Sequence, residues 1–177
     1  MNITANNALK ETIKRIDGAY APATIRAYKS NFERFIEFCD QEKTTALPAN
    51  HENVSSYIKN LSNGKLKSAS IRIAIASISA MHRLNEYHDP TNHANVKIEL
   101  RRMHRKLGRG SKQALGINLG TLNYMLEYTD RSLIGLRDRA LLLTAYDGLC
   151  RRSELVELGV EDISCGIESL IKIKLRR

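Results

Sequence analysis

Apolar residues recur along most of this chain at steps of three and four, the spacing that lines one face of an α-helix. Ile25, Tyr28, Phe32, Phe35 and Cys39 form the clearest stripe. They predict a core-packed helix beginning near Pro22, a residue suited to a first helical turn because the N–H it lacks would go unbonded there. A shorter helix is predicted before it, over about residues 6–16, ending at Asp17-Gly18. Val54, Tyr57, Ile58 and Leu61 mark a third over about residues 50–63, with Gly64 as its C′ residue. Ile71, Ile75, Ile78 and His82 mark a fourth, running to about residue 85, and Ser68 or Ser70 can cap its first N–H groups. Val96, Leu100, Met103 and Leu107 mark a fifth over about residues 94–107.

The pattern breaks at Gly108-Arg-Gly110-Ser111, a short flexible stretch. Helices then resume over about residues 119–128 and 135–146, with another starting near Arg151. Only the last segment changes period. Ile171, Ile173 and Leu175 alternate with Lys172 and Lys174, which predicts one half-buried strand at the C-terminus, with no partner evident in the pattern. The three prolines, Pro22, Pro48 and Pro90, all fall at predicted helix boundaries. The fold class is therefore mainly α, with domains expected at 1–108 and 113–177 and a linker at 109–112.

Charge separates the same two parts. The net charge is +9, yet residues 1–112 hold nineteen Lys and Arg against ten Asp and Glu, whereas residues 113–177 hold nine of each. Phosphate backbones are the commonest partner of a domain charged this way, the bland alternative being a basic but inert surface. On the fifth helix Lys97, Arg101 and Arg105 lie opposite the apolar stripe, flanked by Arg102 and Lys106, and only Glu99 offsets them. Aromatic residues are 6% and there is no Trp, so stacking along a single strand is poorly provided for. Cys39, Cys150 and Cys165 are odd in number and lack metal-ligand spacing, which fits free thiols in a reducing cytoplasm. His88, Asp89 and His93 lack a third strong ligand at a helical step and read as a turn and a cap. No metal or cofactor is called for. The first ten residues have no signal-peptide core, and no run approaches the ~20 apolar residues of a membrane span.

The strongest local signal is Arg151-Arg152-Ser153-Glu154-Leu155, followed by Val156-Glu-Leu158 and Glu161-Asp162-Ile163. Here the sequence resembles the tyrosine recombinases of the phage-integrase type, in which an arginine, any residue, and Ser-Glu-Leu mark the first catalytic arginine. Leu136-Arg-Asp138-Arg-Ala140-Leu-Leu-Leu143 is similar to the helix before it. Thr24, Tyr28, Phe32 and Phe35 resemble the opening helix of that family's core-binding domain, Ser70-Ile71-Arg72 its DNA-contacting helix, and Asp89-Pro-Thr91 with Val96 its sequel.

The resemblance implies a helical core-binding domain, a SAM-like bundle, followed by a truncated, α-rich start of the catalytic domain. It assigns Arg151 to the scissile phosphate, since a guanidinium holds two oxygens with a fixed fork of donors and stays charged. The rival for Arg151 is an ion pair with Glu154. The family pattern usually has Gly-Leu directly before the arginine, whereas Leu149-Cys150 stand here. The family's hairpin lysine, His-x-x-Arg box and tyrosine nucleophile are absent, so the chain is expected to bind duplex DNA and cut nothing alone. Candidate DNA contacts are Lys65, Lys67, Ser70, Arg72, Arg101, Arg105 and Lys106, and other recombinase protomers on DNA are the further partners implied. No membrane partner is expected, and the setting implied is a bacterial or phage-infected cytoplasm. Two alternatives remain: a standalone DNA-binding protein that occupies recombination sites, and a helical adaptor for acidic proteins.

Overall fold

Asn2 is buried at the very start of the first helix, α1 (Ile3–Arg15), where its side chain donates to Asp40 Oδ1 at 3.0 Å and to the Thr44 carbonyl at 3.1 Å. These bonds tie the chain's beginning to the end of the longest helix, α2 (Pro22–Gln41). Pro22 opens α2 as the sequence indicates, and Phe32, Phe35 and Cys39 are completely buried along it. Ile25 and Tyr28, nearer its start, are only half-buried. The computed structural model describes residues 2–110, 113–165 and 171–174.

Three more helices complete the first unit: α3 (His51–Asn63), α4 (Ser68–Leu84) and α5 (Ala94–Leu107). Packing is most extensive between α2 and α4 and between α3 and α5. Phe35 and Tyr57 pack ring to ring at 5.1 Å across α2 and α3. Ile71, Ile78 and Met81 of α4 and Val96 and Met103 of α5 are buried in the same core. Each such side chain contributes about 1.5–3 kcal/mol on leaving water, so this unit has a sizeable hydrophobic centre. The β-branched residues of α4 are tolerated because packing on its buried face outweighs their slightly poorer helix propensity.

Helix ends differ from the expectation in two places. Gly64 has φ −83°, so α3 does not end on a left-handed glycine. Neither Ser68 nor Ser70 caps α4; the N-cap is Lys67, and no side chain accepts from its first turn. By contrast Gly108 does take φ +77° after α5, a conformation glycine adopts without a Cβ penalty. The His88–His93 segment forms a short turn, Pro90–Asn92, in which Asp89 accepts from the Thr91 N–H at 2.9 Å. His93 caps α5 and stacks on His51 with ring centroids 3.6 Å apart.

Residues divide into two compact units, Met1–Lys112 and Gln113–Arg177. Of the expected linker 109–112, Ser111 and Lys112 lie outside the described residues. The second unit contains α6 (Leu119–Glu127), α7 (Leu133–Gly148) and α8 (Arg152–Val156). Leu122 and Leu126 are buried, but Leu133, Ile134 and Leu136 of α7 are exposed. The expectation of a lone C-terminal strand is corrected. A strand β1 (Ile163–Cys165) pairs antiparallel with β2 (Ile171–Ile173), in the register Ile163↔Ile173. Three residues, Ile-Ser-Cys, are too short a run to show a period of two, so only pairing reveals β1. The Lys174 N–H donates to the Asp162 carbonyl at 2.9 Å beside this hairpin. Leu170 and Leu175 of the expected strand lie outside the described residues. No described helix is long and apolar enough to cross a membrane.

Candidate nucleic-acid interface

Because no side chain caps α4, the N–H groups of its first turn keep their donor capacity and the positive end of the helix dipole. The Ser70 and Ile71 N–H groups donate back to the Lys67 carbonyl at 3.0 and 3.2 Å, which leaves those of Ser68 and Ala69 at the tip. Lys65, Lys67, Ser70 and Arg72 are all exposed around this end. A cleft of about 420 Å³ lies between it and the C-terminal end of α5, lined by Lys67, Ser68, Arg72 and Arg109, with Leu66 and Leu107 as apolar lining.

The outer side of α5 is cationic, as its spacing dictates. Lys97, Arg101 and Arg105 are exposed, whereas Val96 and Met103 face inward and are buried. The acidic Glu99 does not dilute this face. It is itself buried and accepts from Arg102 Nη1 at 2.9 Å, so Arg102 is the partly compensated cation. Lys106 Nζ donates to Asn63 Oδ1 at 2.7 Å, which holds its ammonium near the end of α3.

The candidates thus fall into groups. Lys67 and Arg72 share the cleft, with Lys65 and Ser70 exposed nearby in sequence. Arg101 and Arg105 lie along α5 and do not line the cleft. Two residues outside the candidate set join the first group. Arg109 lines the cleft from just beyond α5, between two glycines. His104, one turn earlier, has a buried Nδ1 with no hydrogen-bond partner among the described residues. Burial, followed by the charges of Arg109 and Arg72, holds its imidazole below the usual histidine range. Arg109 was legible as a continuation of the basic run; only folding shows that it turns back toward α4.

Arg151 sits in the second unit as the N-cap residue of α8. Its side chain is 83% exposed, and its Nη1 donates to Glu154 Oε1 at 2.8 Å. Glu154 also accepts from the Arg151 backbone N–H at 2.8 Å, so one carboxylate both caps the helix and orients the guanidinium. The ion pair posed as the rival for Arg151 is therefore present, at an exposed site where such a pair contributes ~1 kcal/mol or less. A guanidinium has five donors, so a single ion pair leaves capacity for an oxyanion.

Comparison with known proteins bears on the first unit through a family model and on both units through relatives. Residues 12–86, within the first unit, match the family model described as "Phage integrase, N-terminal SAM-like domain". The chain is 28% identical over 155 residues to an integrase/recombinase xerD homolog of Selenomonas ruminantium, covering 85% of this chain and 45% of that protein. It is 25% identical over 152 residues to the recombinase cre of Escherichia phage P1, covering 82% and 44%. The chain spans a little less than half the length of these curated relatives.

Proposed function

We propose that this chain, which belongs to the tyrosine recombinase or phage integrase family, grips duplex DNA with its first unit in the course of site-specific recombination. The observation that carries this reading is the one-sided charge of α5: exposed Lys97, Arg101 and Arg105 outside, a buried apolar stripe inside, and the helix's single carboxylate, Glu99, withdrawn into a pair with Arg102. A solvated helix face ordinarily mixes signs. A face of a single sign suits a phosphate backbone, which supplies most of the affinity and no sequence information.

In this reading Lys65, Lys67, Arg72, Arg101, Arg105 and Lys106 neutralise phosphates, and Ser70 at the exposed start of α4 is offered to a major groove. The second unit is the opening part of a catalytic domain, and Arg151 holds the non-bridging oxygens of the phosphodiester under attack. The 177 residues contain no His followed three places later by Arg, so this chain by itself binds without cutting. Other protomers of the same family on the same DNA are the further partners, in the reducing interior of a bacterial cell.

A salt series tests the reading. With the six phosphate contacts named above, the affinity for a duplex falls with a log–log slope of about −5.4. Charge reversal at Arg101 and Arg105 together flattens that slope by about 1.8, at about 0.9 per contact. No duplex binding at low salt, or a slope near zero, overturns the reading and favours an acidic protein as the partner.

A further inference from the structure

We propose that the Asn63–Gly64 step at the end of α3 is a deamidation site, activated by the Lys106 ammonium that reaches across from α5. Asn63 is the last residue of α3 and is exposed, and its Oδ1 accepts a hydrogen bond from Lys106 Nζ at 2.7 Å. It is the one Asn in the sequence followed by Gly; every other is followed by a residue carrying a side chain. Glycine matters here for approach rather than for the turn. Gly64 has φ −83° and ψ −167°, a backbone open to other residues, so no strain requires it. Without a Cβ its nitrogen has the least hindered path to the neighbouring amide carbon.

The reaction is a ring closure within the chain. The Gly64 nitrogen attacks Asn63 Cγ and gives up its proton to solvent, and Oδ1 carries negative charge in the tetrahedral intermediate. A cationic donor already 2.7 Å from that oxygen stabilises the charge as it develops. The Cγ–Nδ2 bond then breaks, and the nitrogen takes a proton from solvent and leaves as ammonia. Water opens the resulting succinimide. Cleavage at Cγ leaves an aspartate at position 63, and cleavage at the backbone carbonyl leaves an isoaspartate. In the closed helix end the Gly64 N–H donates to the Leu61 carbonyl at 3.2 Å, so this bond must open first. Helix ends open at little cost, which makes the reaction slow without blocking it.

The consequence rests on the duplex-binding reading. Lys106 shares its ammonium with a neutral amide before the reaction and with a carboxylate after it. The new carboxylate lowers the net charge of +9 and competes with phosphate for Lys106. The modified chain therefore binds duplex less tightly, and its salt dependence loses up to about 0.9 of slope.

For the test, the 177-residue chain is held in warm, mildly alkaline buffer without DNA, and conversion at position 63 is followed by peptide mass spectrometry. Asn63 is expected to convert ahead of every other Asn. Lys106→Met is expected to slow it about three- to tenfold, the worth of one lost hydrogen bond. Lys106→Arg keeps most of the rate. Gly64→Ala, whose Cβ meets only the Leu61 carbonyl at 3.4 Å, folds normally and slows conversion more than Lys106→Met does. If Asn63 stays an amide while the urea-unfolded chain converts, or if Lys106→Met converts as fast as the wild type, the site is wrong, whatever the chain does with DNA. Duplex binding is read separately on Asn63→Asp, which is expected to bind more weakly than the wild type. If Asn63→Asp binds as the wild type does while Lys106→Met binds more weakly, the link to DNA is wrong. If the wild type does not bind duplex at all, the underlying reading falls and the deamidation site stands.

Discussion

His82 is the one histidine that is wholly buried, and its environment makes the first unit sensitive to acid in a predictable direction. Its Nε2 accepts from the Ala49 N–H at 2.8 Å, so Nδ1 carries the ring proton and donates to the Ile78 carbonyl, also at 2.8 Å. This arrangement admits only the neutral ring. Protonation at Nε2 sets two donors against each other and places a charge in the core. Burial accordingly pushes the imidazole below its ordinary value of 6.5. Between that lowered value and about 6.5 the unfolded chain binds more protons than the folded one, so stability rises with pH across this window and levels off above it. At pH 5.5 the loss due to His82 reaches at most about 1.4 kcal/mol, the limit at which the folded ring stays unprotonated. Replacing His82 with Phe keeps most of the volume but leaves the buried Ala49 N–H without an acceptor, at a cost of about 1–3 kcal/mol, and removes this part of the pH dependence. Urea unfolding followed by far-UV circular dichroism at pH 7.5 and 5.5 measures both effects. The reasoning fails if the wild type is as stable at pH 5.5 as at 7.5, or if His82→Phe loses stability on acidification as steeply as the wild type.

Three further substitutions probe the second unit. A Cβ at Gly135 would run into both the carboxylate and the backbone carbonyl of Asp130, so Gly135→Ala is expected to destabilise that unit by about 1–3 kcal/mol. Gly120→Ala meets only the Asn118 side chain at 3.4 Å and should leave the melting profile unchanged or slightly improved. Arg151→Ala removes an exposed ion pair with Glu154, so thermal unfolding should shift by less than about 1 kcal/mol. A larger loss would make Arg151 a structural residue and weaken its assignment to a phosphodiester.

Much of the fold was legible because period is a local property. The stripes on α2, α3, α4 and α5 each place apolar residues on one face, and Phe32, Tyr57, Ile78 and Met103 are indeed buried. The cationic side of α5 follows from the same geometry, since residues opposite a buried stripe face solvent. The Arg151–Glu154 ion pair, weighed as the alternative for the Arg-x-Ser-Glu-Leu motif, was legible for the same reason, because the carboxylate lies only three residues from Arg151.

Non-local pairing was not legible. β1 is three residues long and becomes a strand only when β2 supplies hydrogen-bond partners. Ser68 resembled a cap but was buried instead, and Lys67 took the N-cap position with no side-chain oxygen to offer. Glu99 counted as a charge on the surface, yet folding turned it inward to Arg102. The cleft shared by Lys67, Arg72 and Arg109 joins residues up to forty-two positions apart, which only the approach of the two helix ends decides. The sequence alone thus determined which faces are apolar and where positive charge accumulates, because both depend on neighbours within a turn or two. The tertiary structure decided which polar groups find partners and which cations converge, because those depend on residues brought close by packing rather than by the chain.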